Sequence, residues 1–290
     1  MDPYIRMLQQ GQTLAMIAGL VILALLEHAH PFYDFFRGEP GSRGRHAVRN
    51  LLLGALNGLV VSLGFVWLWF LATAWAEANQ FGIMNQLSAR FGIPGWAHAV
   101  GAMLLIDAWM YVWHRVNHVV PFLWRFHRVH HADPHMDVTT ASRFHLGEIV
   151  LSSLLRVPVL ILAGAHLWEL LVYETLMFAV VQTQHANIFF PDRLDRALRT
   201  VIVTPAMHKV HHSRWQPETD SNYSSLFSIW DRLGRSFRIR KDLSTLRIGL
   251  DEMDDERYQT VGGMVRTPFL SIPRSEGAEE DRSVRRSAEG

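Results

Sequence analysis

Three short segments decide how this chain folds: HRVNH at residues 114–118, HRVHH at 127–131 and HKVHH at 208–212. Each segment spaces its histidines three or four residues apart, and such positions return to the same face of an α-helix. We therefore expect three helices, each aiming all of its imidazoles in one direction, as a multidentate metal site requires. The candidate ligands are His114, His118, His127, His130, His131, His208, His211 and His212.

Proline residues around these segments support the helical interpretation. Pro121 can begin the helix that carries the second segment, and Pro134 can end it. Thr204 followed by Pro205 is a typical N-cap and first helical residue for the third segment.

A polar stripe precedes the first segment. Asp107, Tyr111, His114 and His118 follow one another at intervals of four, three and four residues, so they share one helix face. A carboxylate inside an apolar helix costs about 2.5–3.5 kcal/mol on insertion scales, which indicates a task for it. We expect Asp107 to orient a metal-bound imidazole through the other ring nitrogen, with Tyr111 beside it.

Three further residues border the expected centre. His185 ends a long apolar region and is a candidate ninth ligand. Glu174 lies 11 residues before it, so we expect Glu174 to support His185 from the same helix. His145, followed by Glu148, begins that apolar region and is a possible additional ligand.

The composition restricts the chemistry. The sequence is 49% hydrophobic and 19% charged, and it contains no cysteine, which excludes disulfides, iron–sulfur clusters and cysteine-based zinc sites from its residues. A net charge of +1 argues against a nucleic-acid binder, which would need a basic face.

The number of histidines indicates two metal ions, because zinc sites use only three or four protein ligands each. Imidazole suits iron, zinc and copper alike, so the ligand type leaves the metal open. Hydrolytic di-zinc sites usually include bridging carboxylates, and these segments contain none. An all-nitrogen site beside a membrane favours redox chemistry on an apolar substrate.

Apolar segments long enough to span a bilayer occupy residues 14–26 (extended by residues 5–13), 51–76 and 97–120. Residues 148–188 form an apolar region about twice that length, which a turn at residues 164–166 would divide into a helical hairpin. The predicted fold is all-α: an integral membrane helical bundle of three spans plus a hairpin, with a cytoplasmic helical cap carrying the histidines. We assign residues 1–96 to N-terminal membrane spans, 97–245 to the catalytic domain and 246–290 to a polar, partly disordered C-terminal tail.

The distribution of arginine predicts the orientation. Residues 29–50 carry four arginines, whereas residues 77–96 carry only Arg90. The positive-inside rule therefore places the first loop in the cytoplasm and the N-terminus outside. All three histidine segments and His185 then lie on the cytoplasmic side, and His98 lies at the outer interface. We expect a multi-pass protein of a bacterial inner membrane.

The motifs resemble those of the fatty acid hydroxylase/sterol desaturase superfamily over residues 104–237. Besides the histidine segments, the resemblance rests on Asp107-x₃-Tyr111-x₂-His114-Arg115, Ser142-Arg143-Phe144-His145, Thr204-Pro205-x₂-His208, and Asn222-Tyr223 followed by IWDRL at 229–233.

The resemblance implies a membrane di-iron enzyme that uses O₂ to hydroxylate or desaturate a lipid-like substrate: a sterol, fatty acyl chain, carotenoid or polar lipid. It implies the eight segment histidines and His185 as iron ligands, with Asn222 supporting them. It also implies a separate electron donor, a reductase with a ferredoxin or cytochrome b5-like carrier. Phe189 stands where fatty acid 2-hydroxylases carry a histidine, which weakens that particular assignment.

Two other classes of function remain open from the residues alone. A membrane zinc hydrolase would use the same imidazoles without O₂. A non-enzymatic metal-binding or transport protein would place its ligands near the bilayer midplane.

Overall fold

The computed structural model describes residues 3–37 and 41–275, and these residues form helices and loops with only two isolated β-bridges. The α-helices are α1 Pro3–Ala29, α2 Ser42–Gly64, α3 Val66–Ala78, α4 Ile83–Phe91, α5 Gly95–Val119, α6 Pro121–His131, α7 Leu146–Ala163, α8 Leu167–His185, α9 Asp192–Leu198, α10 Pro205–His211, α11 Gln216–Thr219, α12 Ile229–Leu233, α13 Glu256–Gln259 and α14 Val261–Arg266. Short 3₁₀ helices occupy Val138–Ser142, Asp251–Met253 and Thr267–Phe269. The all-α prediction is confirmed.

Three helices of the described chain are long and apolar enough to cross a membrane, namely α1, α2 and α7. Helices α1 and α2 correspond to the first two expected spans, whereas α7 is the first arm of the expected hairpin. The third expected span, residues 97–120, is α5, which is not among the three. Its polar stripe lowers its hydropathy, and Ile106 and Asp107 on it are fully buried, so α5 is a packed central helix.

The apolar segment expected at residues 51–76 is not one helix. α2 begins earlier, at Ser42, and ends at Gly64, and α3 resumes at Val66. Glycine is a weak helix former, and Phe65 between the two helices leaves ideal helical geometry at φ −115° and ψ −29°.

The hairpin at residues 148–188 is confirmed as α7 and α8. Gly164 ends α7 with φ +69°, the left-handed conformation that favours glycine. Gly82 packs directly against the backbone of Ile161 and Gly164, where a side chain would not fit. The turn is therefore held by close backbone contact with the start of α4.

Several helix ends meet at one end of the bundle. Glu27, near the end of α1, accepts hydrogen bonds from the backbone amides of Val138 and Asn187 at 3.1 and 2.9 Å. His46, near the start of α2, lies 2.9 Å from Asp133, which follows α6. The same end contains the end of α5, the start of α7 and the end of α8, so the hairpin leaves this end and returns to it.

Residues 246–275 of the expected polar tail pack on the helices. Arg128 of α6 donates hydrogen bonds to the carbonyls of Thr267 and Leu270 at 2.6 and 3.0 Å. Leu250 and Met253 join Trp124 in a buried apolar cluster. Leu250, Met253 and Met264 of this segment are buried although most of its charged residues are exposed or half-buried, a pattern that composition alone hides. The rest of the expected disordered tail, residues 276–290, lies outside the described residues.

Candidate metal centre

Nine histidines form two compact groups at the end of the bundle where the helix ends meet. In each group the potential ligand atoms all lie within 4.8 Å of one another. The first group contains His114, His118, His127, His131 and His211, and the second contains His130, His185, His208 and His212. The structure thus brings together all eight histidines of the three segments together with His185.

The two triplets each divide between the groups, so the expectation that each segment aims at one site is wrong. His127 and His131 belong to the first group, whereas His130 belongs to the second. In the third segment, one histidine, His211, belongs to the first group, whereas His208 and His212 belong to the second. Adjacent helical positions differ by about 100° in direction, so neighbouring histidines point to different sides of α6 and α10.

The spacing of the ring nitrogens fits coordination of metal ions. In the first group, Nε2 of His114 lies 3.1 Å from Nε2 of His127 and 3.0 Å from Nε2 of His211. In the second, Nε2 of His185 lies 3.1 Å from that of His130 and 3.0 Å from that of His208. Ligands about 2.0–2.1 Å from one ion are separated by about these distances.

The hydrogen bonds of His114 and His211 add an electrostatic reason for a cation. Nδ1 of His114 donates to the carbonyl of Tyr223 at 2.7 Å, and Nδ1 of His211 donates to that of Ser221 at 2.6 Å. A carbonyl only accepts, so in each neutral ring the hydrogen is on Nδ1 and Nε2 carries a bare lone pair. These two lone pairs face each other at 3.0 Å, and a metal ion between them would remove the repulsion.

Burial keeps the imidazoles neutral and available as ligands. Burial lowers the pKa of His211 to about 3, and the neighbouring His127 adds to the effect. Burial first, and then neighbouring histidines, also hold the pKa of His130, His131, His208 and His212 well below the ordinary value. Neutral imidazole is the form that binds a metal ion.

Carboxylates support the first group from outside. Nδ1 of His127 lies 2.9 Å from Glu148, and Nδ1 of His118 lies 3.2 Å from Asp220. Such contacts fix the ring orientation and direct the other nitrogen inward. Nε2 of His118 is buried and has no hydrogen-bond partner in the described chain, as expected of a nitrogen that binds a metal ion.

Among the residues that the structure describes, no carboxylate contacts the second group in this way. Nδ1 of His185 donates to the carbonyl of Val181 at 2.7 Å, within α8. The Nδ1 atoms of His130, His208 and His212 are buried without a hydrogen-bond partner. The ring of Phe144 stacks on His130 with centroids 4.2 Å apart, so apolar packing orients this ligand. The two groups therefore differ in the charge around them.

The expected role of Asp107 is not what the structure shows, because within the described part of the chain its hydrogen bonds go to other residues than histidine. Its carboxylate accepts hydrogen bonds from Tyr173 at 2.8 Å, from the Phe227 amide at 3.0 Å and from the Trp230 indole at 2.7 Å. His114 is oriented instead by the Tyr223 carbonyl. Asp107 thus ties α5 to α8 and to the segment that contains Tyr223.

Tyr111 and Glu174 also lie apart from the histidines. The hydroxyl of Tyr111 hydrogen-bonds with Ser236 at 2.9 Å, and its ring meets the edge of Tyr223. Glu174 pairs with Arg156 on the neighbouring helix, so it does not support His185. Asp107 and Tyr111 share one face of α5 with His114 and His118, and Glu174 lies on α8 with His185. Each of these helix segments is up to about 16 Å long, so its two ends contact different neighbours.

Asn222 acts on the site through the backbone. It adopts a left-handed φ of +52°. Its side-chain amide donates to the carbonyls of Met207 and Arg238 at 2.9 and 2.7 Å. This fixes the turn that holds the two carbonyl acceptors, those of Ser221 and Tyr223, against His211 and His114.

His145 belongs to neither group. It caps the start of α7, where its Nδ1 accepts a hydrogen bond from the amide of Gly147 at 2.9 Å, and its Nε2 faces the carbonyl of Val265 at 3.2 Å. His98, expected at the outer interface, is buried at the opposite end of the bundle between Glu169 and Asn85. Both nitrogens of His98 are thus satisfied by protein groups.

Asp220 is a neighbour of the candidate ligands that the sequence analysis missed. It lies between the third histidine segment and Asn222, and its contact with His118 spans 102 residues. Nothing in the local pattern of residues 216–220 distinguishes this aspartate from an ordinary surface residue.

A cavity of about 160 Å³ opens beside both histidine groups. His114, His127, His130, His185 and His208 line one part of it. The remainder is mainly apolar and includes Met110, Trp113, Phe144, Ile149, Met177 and Phe178. An apolar molecule in this cavity would contact both groups.

Comparisons with known proteins agree with these observations. A family model for fatty acid hydroxylase matches residues 99–236. The ornithine lipid hydroxylase OlsE of Rhizobium tropici is 25% identical over 237 residues, which cover 81% of this chain and 69% of that protein. Alkylglycerol monooxygenases of Homo sapiens and Danio rerio are 26% and 28% identical over 142 residues. That match covers 49% of this chain and only 31% and 30% of theirs. No solved structure gives a significant match.

The matched region contains every one of the nine histidines, together with Glu148, Asp220 and the cavity between α5, α7 and α8. Residues 99–236 of this membrane protein are therefore similar to the fatty acid hydroxylase family.

Proposed function

We propose that this chain is a membrane-bound di-iron oxygenase that uses O₂ to hydroxylate a lipid-like substrate. The observation that carries the proposal is the pair of buried histidine groups beside one apolar cavity. The five and four imidazoles would hold one iron ion each. Hydroxylation is favoured over desaturation because the relatives are named a hydroxylase and monooxygenases.

Two bound iron ions would supply the reduction of O₂ with two electrons and two protons, one oxygen atom entering a C–H bond as hydroxyl and the other leaving as water. The residues of the chain perform the remaining tasks. Met177, Phe178 and the other apolar lining residues hold a hydrocarbon chain against the histidines and exclude water. Glu148 and Asp220 hold His127 and His118 in position.

The alternatives fit less well. Among the described residues, neither the five-histidine group nor the four-histidine group contains a carboxylate, whereas a bridging carboxylate is usual in hydrolytic di-zinc sites. Transport would place ligands near the middle of the spans. Here the ligands lie at the helix ends, beside the start of α7 and the end of α8.

The electrons require a partner. The sequence contains no cysteine for an iron–sulfur cluster, and each turnover needs two electrons. We propose a separate reductase with a ferredoxin or cytochrome b5-like carrier that docks on the side of the membrane carrying the histidines. From the arginine distribution, this side is the cytoplasmic face of a bacterial inner membrane.

The test is purification under anaerobic conditions in lipid nanodiscs, with iron loading, elemental analysis, and turnover with a chemical reductant under ¹⁸O₂. We expect about two iron ions per chain, as the two ligand groups require, and one ¹⁸O atom in a hydroxylated lipid. Zinc as the only bound metal, with label entering the product from H₂¹⁸O in the absence of O₂, would instead establish a hydrolase.

A further inference from the structure

The cavity beside the histidines has a second polar feature, formed by Arg156 of α7 and Glu174 of α8. Arg156 lines the same cavity as His130 and His185. It forms an ion pair with Glu174, which lies within hydrogen-bond distance. The mechanism proposed above gives this pair no task.

The hydrogen-bonding capacity of Arg156 is largely unused. The residue is 8% exposed, and its Nε is buried without a partner. Nη1 donates to Glu174, while Nη2 has only the weak acceptor Sδ of Met110, at 3.8 Å. A guanidinium carries five N–H donors, and a buried donor without an acceptor is costly. The free donors therefore indicate an acceptor that arrives with a ligand.

The location of the pair strengthens this argument. α7 is one of the three helices able to cross a membrane, and charged residues inside such helices are rare and usually functional. Trp69 lies under the guanidinium at 4.7 Å and fixes its plane. Packing alone would be served equally well by two apolar residues at these positions.

The helices give the distance from the pair to the metal centre. Glu148, which contacts His127, and Arg156 are eight residues apart on α7, or about 12 Å at the rise of an α-helix. Glu174 and His185 are 11 residues apart on α8, or about 16 Å. One elongated molecule in the cavity could therefore reach both places.

We propose that Arg156 binds a neutral oxygen acceptor of the substrate, an ether, ester or hydroxyl oxygen, about 12–16 Å from the carbon that reacts beside the histidines. The acceptor is neutral because Glu174 already balances the charge of Arg156. An added anion would leave unpaired charge in apolar surroundings, which is unfavourable. This subsite refines the proposed function and rests on it for the identity of the reacting end.

The first experiment measures binding without catalysis. A photoreactive diazirine analogue of hexadecyl methyl ether labels the metal-free protein in nanodiscs, and labelling of α7 and α8 peptides is measured by mass spectrometry. Two unlabelled compounds are compared as competitors of the probe: hexadecyl methyl ether and heptadecane, which has a similar length but contains no oxygen. We expect the ether to compete at least about tenfold better, as loss of a hydrogen bond to a charged donor implies.

The variant is the double substitution Arg156→Met and Glu174→Met, because removing only Arg156 would leave a buried unpaired carboxylate. In this variant we expect the ether and the hydrocarbon to compete equally. Leu155→Met, at an exposed position of the same helix, is the matched control and should retain the preference. Equal competition in the native protein, or an ether preference that persists in the double variant, would overturn the proposal.

The second experiment separates this subsite from the proposed function. Iron-loaded native protein should hydroxylate hexadecyl methyl ether at carbons a fixed distance from the oxygen, and the double variant should give a scattered set of products. An ether preference in binding without any ¹⁸O incorporation would refute the proposed function while supporting the subsite. Identical product patterns in both proteins would refute the subsite while supporting the function.

Discussion

The carboxylate of Asp220 lies 3.2 Å from Nδ1 of His118, although the two residues are 102 positions apart in the chain. The same carboxylate oxygen accepts a hydrogen bond of 2.7 Å from Arg274, whose guanidinium also covers the ring of Trp124 at 4.1 Å. A candidate ligand on α5 is thus positioned by the segment after α11 and by the C-terminal part of the described chain. Residues far outside the histidine segments therefore contribute to the centre.

Replacing Asp220 with Asn should weaken the first metal group without removing it. The amide retains the shape but loses the charge that holds His118, and loss of such a contact typically lowers metal affinity about 10–100-fold. Iron per chain should be measured during titration with a chelator. Asp242→Asn, at an exposed position, is the control. Equal iron retention in both variants would show that Asp220 does not support the centre.

His211 and His145 should respond in opposite ways to substitution. His211→Ala removes a ligand that no neighbouring residue can replace, so iron in the first group and hydroxylation should be lost. His145→Asn retains an acceptor for the Gly147 amide at the start of α7, so iron content should equal that of the native protein. Elemental analysis at matched expression decides between ligand and cap. Iron loss in His145→Asn would make His145 a ligand after all.

Asp107 should matter for stability rather than for metal binding. Asp107→Ala leaves the buried donor of Tyr173 and the half-buried donors of Phe227 and Trp230 without their acceptor, at up to about 1–3 kcal/mol for each. Asp107→Asn can accept from Phe227 and Trp230 while donating to the Tyr173 hydroxyl, so it should be much milder. Thermal unfolding in detergent measures the difference. Iron per folded chain should stay constant, and a selective loss of iron in Asp107→Asn would restore the role first expected for it.

The absence of cysteine from the sequence permits a direct test of topology. Single cysteines can replace two exposed arginines at opposite ends of the bundle: Arg90 in α4, and Arg235, which precedes the Ser236 that contacts Tyr111. A membrane-impermeant maleimide should label Arg90→Cys in intact cells and Arg235→Cys only after permeabilisation. Labelling of Arg235→Cys in intact cells would reverse the proposed orientation.

The local sequence was sufficient for the helices and for the identity of the candidate ligands. Histidine spacing, the N-cap at Thr204 and the proline residues determine the helices α6 and α10. These patterns depend on contacts within about one helical turn, which the sequence displays directly. The hairpin of α7 and α8 follows in the same way from its length and from Gly164.

Tertiary structure decided how the ligands are shared and supported. His127 and His130 lie three residues apart but belong to different groups, because α5, α8 and α10 approach α6 from different sides. Asp107 matched the expected helix face yet reaches Tyr173 and Trp230, whereas Asp220 gave no sequence pattern yet reaches His118. A periodicity gives the direction of a side chain along its own helix. What that side chain meets depends on how distant helices pack, and only the folded chain contains this information.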